Sequence, residues 1–304
     1  MVVLGALAWV APGAAGPAAG DGTLIAFSAS YTIPGYVGPY RQGIWVVRPN
    51  GGGLRRLTPN SIGAGWPTWS PDGKRILFVG SPAGDDFAND LYVMRADGSG
   101  LRRLAKIPGS VEDPDWSPDG RKIVFGVYGD DFKVRVAVMG ANGRGLRMLT
   151  PKGNGAPDWS PDGRSIAFSS ARGGKVRVWI MNADGSEQRL LIRRQSDWPA
   201  WSPDGGEIAF VSRVGRDTEI AVAQADGTAI RTLSRNSFGD GQPSWSPNGE
   251  RIVFESDRTR VPGFSGRPNL LFVMGADGRN QRRLTRIPAD PSNVEATPAW
   301  QPRS

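Results

Sequence analysis

Short apolar segments recur along the chain, and turn-forming residues separate them. Five segments share the pattern Ile-x-Phe, as in Ile76-Leu77-Phe78, and each follows the sequence Ser-Pro-Asp/Asn-Gly. In such a turn Pro presets φ at the second position, Asp or Asn caps the backbone, and Gly takes the last position. Short apolar runs bounded by turns are typical of strands rather than helices. The pattern therefore predicts an all-β chain built from short hairpins.

The segments belong to a longer repeat that begins with the tripeptide Pro-x-Trp. This tripeptide occurs six times, ending at Trp69, Trp116, Trp159, Trp201, Trp245 and Trp300, with spacings of 47, 43, 42, 44 and 55 residues. After the Trp strand come the Ser-Pro-Asp/Asn-Gly turn, the Ile-x-Phe strand, a variable loop and a third apolar strand. An Asp-Gly or Asn-Gly hairpin, which requires positive φ, then leads to a strand that carries Arg-x-Leu. Four strands per repeat at this period predict a β-propeller.

The two ends of the chain supply parts of one repeat. Residues 24–58 provide the second, third and fourth strands without a Trp strand before them, and Pro298-Ala299-Trp300 provides a Trp strand with no repeat after it. Pairing the two removes the exposed edges of an open array. We predict a single domain over residues 21–304, a six-bladed β-propeller of four-stranded antiparallel blades closed by the C-terminal strand pairing into the N-terminal blade.

These motifs resemble the WD40-like, or PD40, repeat of the TolB family, which is built around Trp-Ser-Pro-Asp-Gly, an Ile-Ala-Phe-like strand and an Asp-Gly, Arg-x-Leu-Thr ending. The resemblance covers about residues 22–301 and implies the propeller fold. It implies no single activity, because this repeat serves many unrelated proteins. Full-length TolB proteins carry an α/β domain before the propeller, and prolyl-oligopeptidase relatives add a hydrolase domain; neither is expected in this chain.

The composition excludes several kinds of catalytic and metal-binding site. The chain has no His and no Cys, which excludes Ser-His-Asp triads, imidazole bases, thiolate nucleophiles and His or Cys metal sites. It also has no Gly-x-Ser-x-Gly nucleophile elbow. We therefore expect a non-catalytic protein. The alternative is a hydrolase or lyase that uses carboxylates, with or without Ca²⁺.

The N-terminus resembles an export signal. An apolar run from Val2 to Val10 precedes an Ala/Gly/Pro-rich stretch, although the first basic residue is Arg41. The run is shorter than the roughly 20 apolar residues of a transmembrane helix, so no transmembrane span is expected. Residues 1–20 are interpreted as a signal peptide, with a disordered leader as the alternative. Export to the periplasm or the extracellular space follows from the first interpretation.

Repeated aromatic and charged positions are expected to be structural. The six tryptophans would fill the wedges between blades, and Asp72, Asp119, Asp162 and Asp204 would cap turns. The formal net charge is +8, but one Arg position of the outermost strand recurs around the rim, at Arg55, Arg102, Arg147, Arg189, Arg231 and Arg282. Such spacing suits protection of the sheet edges rather than a nucleic-acid groove, so no nucleic-acid partner is expected.

Candidate binding residues lie where the loops should meet the central channel. The segments just before the Trp strands contain carboxylates, namely Glu112, Asp113, Asp197, Asp240 and Glu295. Carboxylates that converge on a channel mouth would bind a basic peptide or Ca²⁺, which takes oxygen ligands; the alternative is that they are only solvated. The loop from Ser28 to Gly43 contains Tyr31, Tyr36 and Tyr40 beside Arg41, and Tyr-rich loops make good contact surfaces.

Together these features predict an exported, non-catalytic propeller that acts as a protein- or peptide-binding module through its channel-face loops. It is expected to be a monomer and to require no cofactor.

Overall fold

The structure is a computed structural model, and it describes residues 23–30, 42–82, 89–260, 267–285 and 294–303. The predicted signal peptide lies outside the described residues. So does the predicted contact loop with Tyr31, Tyr36, Tyr40 and Arg41.

The described residues form 24 strands and one short 3-10 turn. In chain order the elements are β1 (Ile25–Ser30), β2 (Gly43–Val47), β3 (Arg55–Arg56), β4 (Ile62–Trp69), β5 (Arg75–Pro82), β6 (Asp90–Arg95), β7 (Arg102–Ala105), β8 (Ser110–Trp116), β9 (Lys122–Tyr128), β10 (Val134–Gly140), β11 (Arg147–Met148), β12 (Asn154–Trp159), β13 (Ser165–Ser170), the 3-10 turn (Arg172–Gly174), β14 (Arg177–Asn182), β15 (Arg189–Leu190), β16 (Ser196–Trp201), β17 (Glu207–Val214), β18 (Asp217–Gln224), β19 (Arg231–Thr232), β20 (Asp240–Trp245), β21 (Arg251–Ser256), β22 (Leu270–Gly275), β23 (Arg282–Arg283) and β24 (Val294–Trp300).

The strands form six antiparallel sheets of four, each a blade of the propeller. Blades one to five are β4–β7, β8–β11, β12–β15, β16–β19 and β20–β23, and blade six has the order β24-β1-β2-β3. The first strand of each blade is the inner strand, and it ends at the repeated Trp. The predicted fold is confirmed. Among the described residues, no helix is long and apolar enough to cross a bilayer.

Blade six closes the ring through contacts between the two ends of the chain. Ile25 pairs with Trp300 in the β1–β24 ladder, and the indole of Trp300 donates to Thr23 Oγ1 at 3.0 Å. Gln301, which stands where other repeats have Ser of the turn, accepts a hydrogen bond from Leu24 N at 2.9 Å. Its Nε2 donates to Gly73 O of blade one at 2.9 Å. One side chain therefore ties blade six to blade one.

The hydrophobic core is divided among the interfaces between blades. There are six clusters of buried apolar residues, and each takes its members from two adjacent blades. Trp116 of blade two, for example, packs with Leu77 and Leu91 of blade one. The six Phe residues Phe27, Phe78, Phe125, Phe168, Phe210 and Phe254 are fully buried. Each such side chain contributes about 1.5–3 kcal/mol on burial, so a blade is stable only beside its neighbours.

The repeated Trp and turn Asp residues are structural, as predicted. Five of the six tryptophans are buried and Trp201 is half-buried. In the first turn Asp72 Oδ1 accepts hydrogen bonds from Ser70 Oγ at 2.6 Å and from Lys74 N at 3.1 Å. The same pair of bonds recurs at Asp119, Asp162, Asp204 and Asn248.

Some of the rim arginines form hydrogen bonds between adjacent blades. Four of them reach a backbone carbonyl in the third-to-fourth-strand hairpin of the next blade: Arg55 to Asp97, Arg147 to Asp184, Arg231 to Ala276 and Arg282 to Pro49, at 3.5, 3.0, 3.4 and 2.8 Å. These bonds add polar links between blades at the outer edge of the hydrophobic clusters.

The hairpin glycines permit a close approach between blades. All six Asp-Gly or Asn-Gly glycines have positive φ, and a Cβ on any of them would lie 3.2 Å or less from the carbonyl oxygen of a Leu in the preceding blade. Gly143 has φ +81°, and its added Cβ would lie 2.6 Å from Leu104 O. Gly145 in the same turn has φ +73° and open space around it.

Substitutions at these two glycines distinguish the cost of backbone strain from the cost of a clash between blades. We expect Gly145→Ala to lose about 1 kcal/mol of unfolding free energy from φ strain alone. Gly143→Ala should lose at least about 1 kcal/mol more, because its methyl group meets the Leu104 carbonyl. Urea unfolding of both variants measures the difference, and equal losses would contradict the role assigned to the contact.

Candidate functional site

Each inner strand carries a bulge two to three residues before its Trp. The ladder register shifts between Gly65 and Thr68 in blade one, and the corresponding shift occurs in the other five blades. The residue before the Pro has positive φ in all six blades: Trp66, Asp113, Ala156, Trp198, Gln242 and Thr297, between 45° and 51°. This conformation is uncommon for residues other than Gly and is disfavoured before Pro. The surrounding ring must therefore hold it in place.

A cavity of about 420 Å³ occupies the axis of the propeller. Two rings of residues line it, and each inner strand contributes one residue to each ring. The bulge ring consists of the six positive-φ residues, and the tripeptide ring consists of the middle residues of Pro-x-Trp: Thr68, Asp115, Asp158, Ala200, Ser244 and Ala299. The prolines of four Ser-Pro-Asp-Gly turns and Pro302 extend the lining. The lining contains three Asp residues and no Lys or Arg among the described residues.

The tripeptide ring links neighbouring inner strands. Asp115 accepts a hydrogen bond from Trp159 N at 2.9 Å and one from Thr68 Oγ1 at 3.3 Å. Asp158 accepts a bond from Trp201 N at 2.7 Å. Burial raises the pKa of Asp115 to about 6, and burial together with the charge of Asp115 raises the pKa of Asp158 well above its usual range. These two carboxyls are adjacent, partly desolvated and mutually repulsive.

Three of the five predicted mouth residues also lie near the axis. Glu112, Asp113 and Asp197 are half-buried members of inner strands rather than of the loops before them. Burial raises the pKa of Asp113 well above its usual range, and the charges of Glu112, Asp197 and Glu255 raise it further. Burial also raises the pKa of Glu112 and Asp197. The channel therefore gathers carboxyls that favour a neutralising partner.

Glu255 of β21 completes this acidic group. It is buried, and it accepts hydrogen bonds from Thr297 N at 2.7 Å and Asn269 Nδ2 at 3.2 Å. Burial raises its pKa to about 7.

The remaining predicted mouth residues, Asp240 and Glu295, lie inside blades and not in the channel. Both oxygens of Asp240 contact Arg258 at 3.0 Å. Glu295 accepts bonds from Leu271 N at 2.8 Å and Thr285 Oγ1 at 2.5 Å. Each stands five residues before its Trp, whereas Glu112 and Asp197 stand four before theirs. Because side chains alternate between the two faces of a strand, one residue of difference moves the carboxylate from the channel to the blade interior.

Three acidic residues near the axis were not predicted from the sequence. For Asp115 and Asp158 the available signal is that adjacent repeats carry Asp at the middle position of Pro-x-Trp. No repeat pattern identifies Glu255, which belongs to the second strand of its blade and accepts a hydrogen bond from Thr297 N of the neighbouring inner strand.

Among the described residues, no group of three or more His, Cys, Asp or Glu residues is arranged to hold a metal ion. The geometry of the described channel gives no support to a Ca²⁺ site.

The comparison with family models decides the family. Residues 91–304 match the PD40 family, the TolB beta propeller domain. The chain belongs to the TolB beta-propeller family. No curated protein matches the chain.

Solved structures agree with the fold of this TolB-family chain. TolB from Acinetobacter baumannii is 22% identical with a TM-score of 0.77, over 92% of this chain and 67% of that one. A putative TolB from Agrobacterium tumefaciens is 21% identical with a TM-score of 0.66, over 92% of this chain and 98% of that one. An oligogalacturonate lyase in complex with manganese is 16% identical with a TM-score of 0.57, over 81% and 71%. At these identities the similarity establishes the fold alone.

The different placements of the acidic residues predict different effects on stability. We expect Asp240→Asn to lower the unfolding free energy of this TolB-family propeller by about 3 kcal/mol, because it leaves the Arg258 guanidinium without its buried counter-charge. The exposed Asp130 is the control, and Asp130→Asn should change stability by less than about 0.5 kcal/mol. Chemical denaturation measures the unfolding free energy of both variants. An Asp240→Asn protein as stable as the parent would contradict the structural role assigned to Asp240.

The raised pKa of Asp158 predicts a stability that depends on pH. The folded carboxyl holds its proton above the ordinary Asp value of 3.8, so the folded chain binds more protons than the unfolded one above that pH. Stability from this group is therefore full below about pH 3.8 and falls as pH rises through the raised pKa.

The Asn side chain of the Asp158→Asn variant does not ionise, so the variant lacks this pH-dependent loss of stability. Its amide oxygen can still accept the hydrogen bond from Trp201 N. The variant should equal the parent near pH 4 and exceed it by about 1 kcal/mol or more at pH 8. Denaturation at both pH values tests the sign, and a variant less stable at pH 8 would contradict it.

Proposed function

We propose that this TolB-family propeller is a non-catalytic module that binds a cationic segment of a protein or peptide in its axial channel. The observation that supports the proposal most directly is the charge of the cavity. Asp113, Asp115 and Asp158 line it without a compensating Lys or Arg among the described residues, although the chain as a whole carries a net charge of +8.

The size and rigidity of the cavity also suit a ligand. Its volume of about 420 Å³ falls in the range of about 300–1,000 Å³ that ligand pockets occupy. The lining residues are fixed by ladder pairing and by the bonds from Asp115 and Asp158 to the next inner strand. A site held in this way loses little conformational entropy on binding.

The energetics favour a cation in particular. The channel carboxyls are partly desolvated and close to one another, so each pays a free-energy cost when ionised. A Lys ammonium, an Arg guanidinium or a chain N-terminus would offset that cost. In a partly water-excluded channel this attraction is stronger than on an exposed surface.

Two further parts of the proposal come from residues outside the described ranges. Export rests on the apolar run Val2 to Val10 and the small residues after it. A contact role for Tyr31, Tyr36, Tyr40 and Arg41 rests on their shared loop between β1 and β2. Both remain predictions, as does a monomeric state.

A carboxylate-based hydrolase or lyase is the alternative, and Asp115 with Asp158 would be its acid–base pair. The hydrogen bonds of these residues argue against it, because both carboxylates already accept backbone bonds that join the blades. Hydrolytic or eliminative turnover that Asp158→Asn abolishes would favour the alternative.

A labelled hexalysine peptide tests the channel. We expect fluorescence anisotropy to show salt-dependent binding, and Asp158→Asn or Asp115→Asn to weaken it by about tenfold, a loss of about 1.4 kcal/mol. The control Asp130→Asn removes the same charge from an exposed loop and should leave the affinity unchanged. Equal affinities for the channel variants and the parent protein would exclude the channel as the site.

The same assay has a predicted pH dependence. Because the pKa of Asp115 is raised to about 6, affinity for hexalysine should rise between pH 5 and pH 7.5 as the carboxyl ionises. In Asp115→Asn the rise should be smaller. Thermal shift with Ca²⁺ and with a chelator should show no change, since a ligand of the native state raises stability.

A further inference from the structure

Basic side chains concentrate on one part of the loop face. The face in question carries the loops that enter the inner strands and the loops between second and third strands. The loops before β14 and β16 and the hairpin between β17 and β18 present seven cations there, which we call the basic loop surface: Arg172, Lys175, Arg177, Arg193, Arg194, Arg213 and Arg216. The only carboxylate in the same three loops is Asp217. Unlike the rim arginines, these cations do not share one repeat position, so the repeat pattern does not predict the cluster.

Backbone hydrogen bonds join the three loops into one unit. Ser196 N donates to Val176 O at 3.1 Å, which links the loop before β14 to the loop before β16. Arg213 N donates to Gln195 O at 3.2 Å, which links the latter loop to the β17–β18 hairpin. The backbone segments that carry the cations are therefore joined to one another although they are distant in sequence.

None of the seven cations forms an ion pair with a carboxylate of the described chain; the pairs found there involve other residues. Arg172 and Arg194 instead stack on aromatic rings, with the Arg172 Cζ 4.7 Å from the Trp179 ring and the Arg194 Cζ 5.6 Å from the Phe210 ring. Nε and Nη2 of Arg194 and Nε of Arg177 are buried without a hydrogen-bond partner. These groups are costly to bury in this form.

Two of the exposed cations, Arg213 and Arg216, flank an exposed apolar residue in the β17–β18 hairpin. Lys175, Arg193, Arg213 and Arg216 are exposed, and Val214, next to Arg213, is 49% exposed. Unpaired positive charge around a small apolar residue is suited to an anionic partner surface, which it would attract at long range and pair at contact.

The charges elsewhere on the face indicate which anionic partner fits. The neighbouring loop of blade two exposes Asp130 and also Asp131, which pairs with Arg135. Glu112, Asp113 and Asp197 lie in the first halves of their inner strands, toward the same face. A uniformly anionic ligand, such as a nucleic acid or an anionic bilayer, would bring like charges against these carboxylates. A protein surface can oppose both signs in turn.

We infer that the basic loop surface of blades three and four is a docking site for an acidic protein segment, beside and separate from the cationic-segment site in the channel. This inference rests on the proposed function only in taking the ligand to be a protein. Arg side chains suit such a ligand, because a guanidinium pairs with a carboxylate through two parallel hydrogen bonds.

A labelled octaglutamate peptide tests the surface in the full chain. We expect saturable, salt-sensitive binding that the double variant Arg213→Glu/Arg216→Glu weakens by about tenfold or more. The double variant Arg121→Glu/Arg144→Glu is the matched control. It makes the same change in net charge at exposed positions of the opposite, turn-bearing face, and it should bind like the parent protein. Lys175→Glu/Arg193→Glu is a second test should the first variant fail to fold.

The two binding sites have separable readouts. Asp158→Asn should leave octaglutamate binding unchanged, and Arg213→Glu/Arg216→Glu should leave the channel able to bind hexalysine. If the protein binds octaglutamate but not hexalysine, the channel proposal is wrong and the inference about the basic loop surface still stands.

Three outcomes would overturn the inference. The first is equal weakening by the surface and control variants, which would indicate attraction to net charge only. The second is tighter binding of duplex DNA, and the third is tighter binding of phosphatidylglycerol vesicles, with the same dependence on Arg213 and Arg216. The second and third would assign the surface to a nucleic acid or to a membrane instead.

Discussion

Contact between one blade and the next is the interaction on which the molecule depends. Among the described residues each of the six hydrophobic clusters is shared by two blades, and none is confined to a single blade. Polar contacts between adjacent blades occur both near the axis and at the rim. Near the axis Asp158 accepts from Trp201 N, and at the rim Arg147 donates to Asp184 O. The hairpin that Arg147 reaches also lies against the preceding blade, as the Gly143 hairpin does against the Leu104 carbonyl. The ring is stable when the last of these interfaces forms, and Gln301 supplies one of the polar contacts between blades six and one.

The same constraint creates the channel and its chemistry. Packing six blades around an axis brings six inner strands together, and their bulges hold residues such as Asp113 in a conformation that an isolated strand would not adopt. Carboxyls from different blades are then close enough for the charge of one to raise the pKa of another, as Asp115 does for Asp158. The energy of the interfaces thus maintains an arrangement of like charges that would otherwise separate. Around this acidic axis, the loops of blades three and four present the opposite charge on the same face.

Local sequence predicted the blades well because each signal acts within a few residues. Proline, the turn Asp and the hairpin glycines determine turns wherever they occur, and the spare Trp strand at the C-terminus implied the closure. The channel was harder to predict because the bulge has no residue type of its own: Trp66, Asp113 and Ala156 share the conformation but not the chemistry. A position just before a Trp strand therefore did not distinguish Asp240 and Glu295, which lie inside blades, from Glu112 and Asp197, because one residue of difference in distance from the Trp changes the side of the strand. The basic loop surface required the tertiary structure, since its cations come from three separate loops.

The middle position of Pro-x-Trp has a further consequence. Thr68, Asp115, Ala200 and Ser244 occupy it in different blades, while the Pro and the Trp on either side remain the same and hold the strand. Residues of different size, polarity and charge are thus compatible with one backbone at the axis. Ligand preference can diverge within such a protein through single substitutions at six separately variable sites, without any change in the parts that specify the fold.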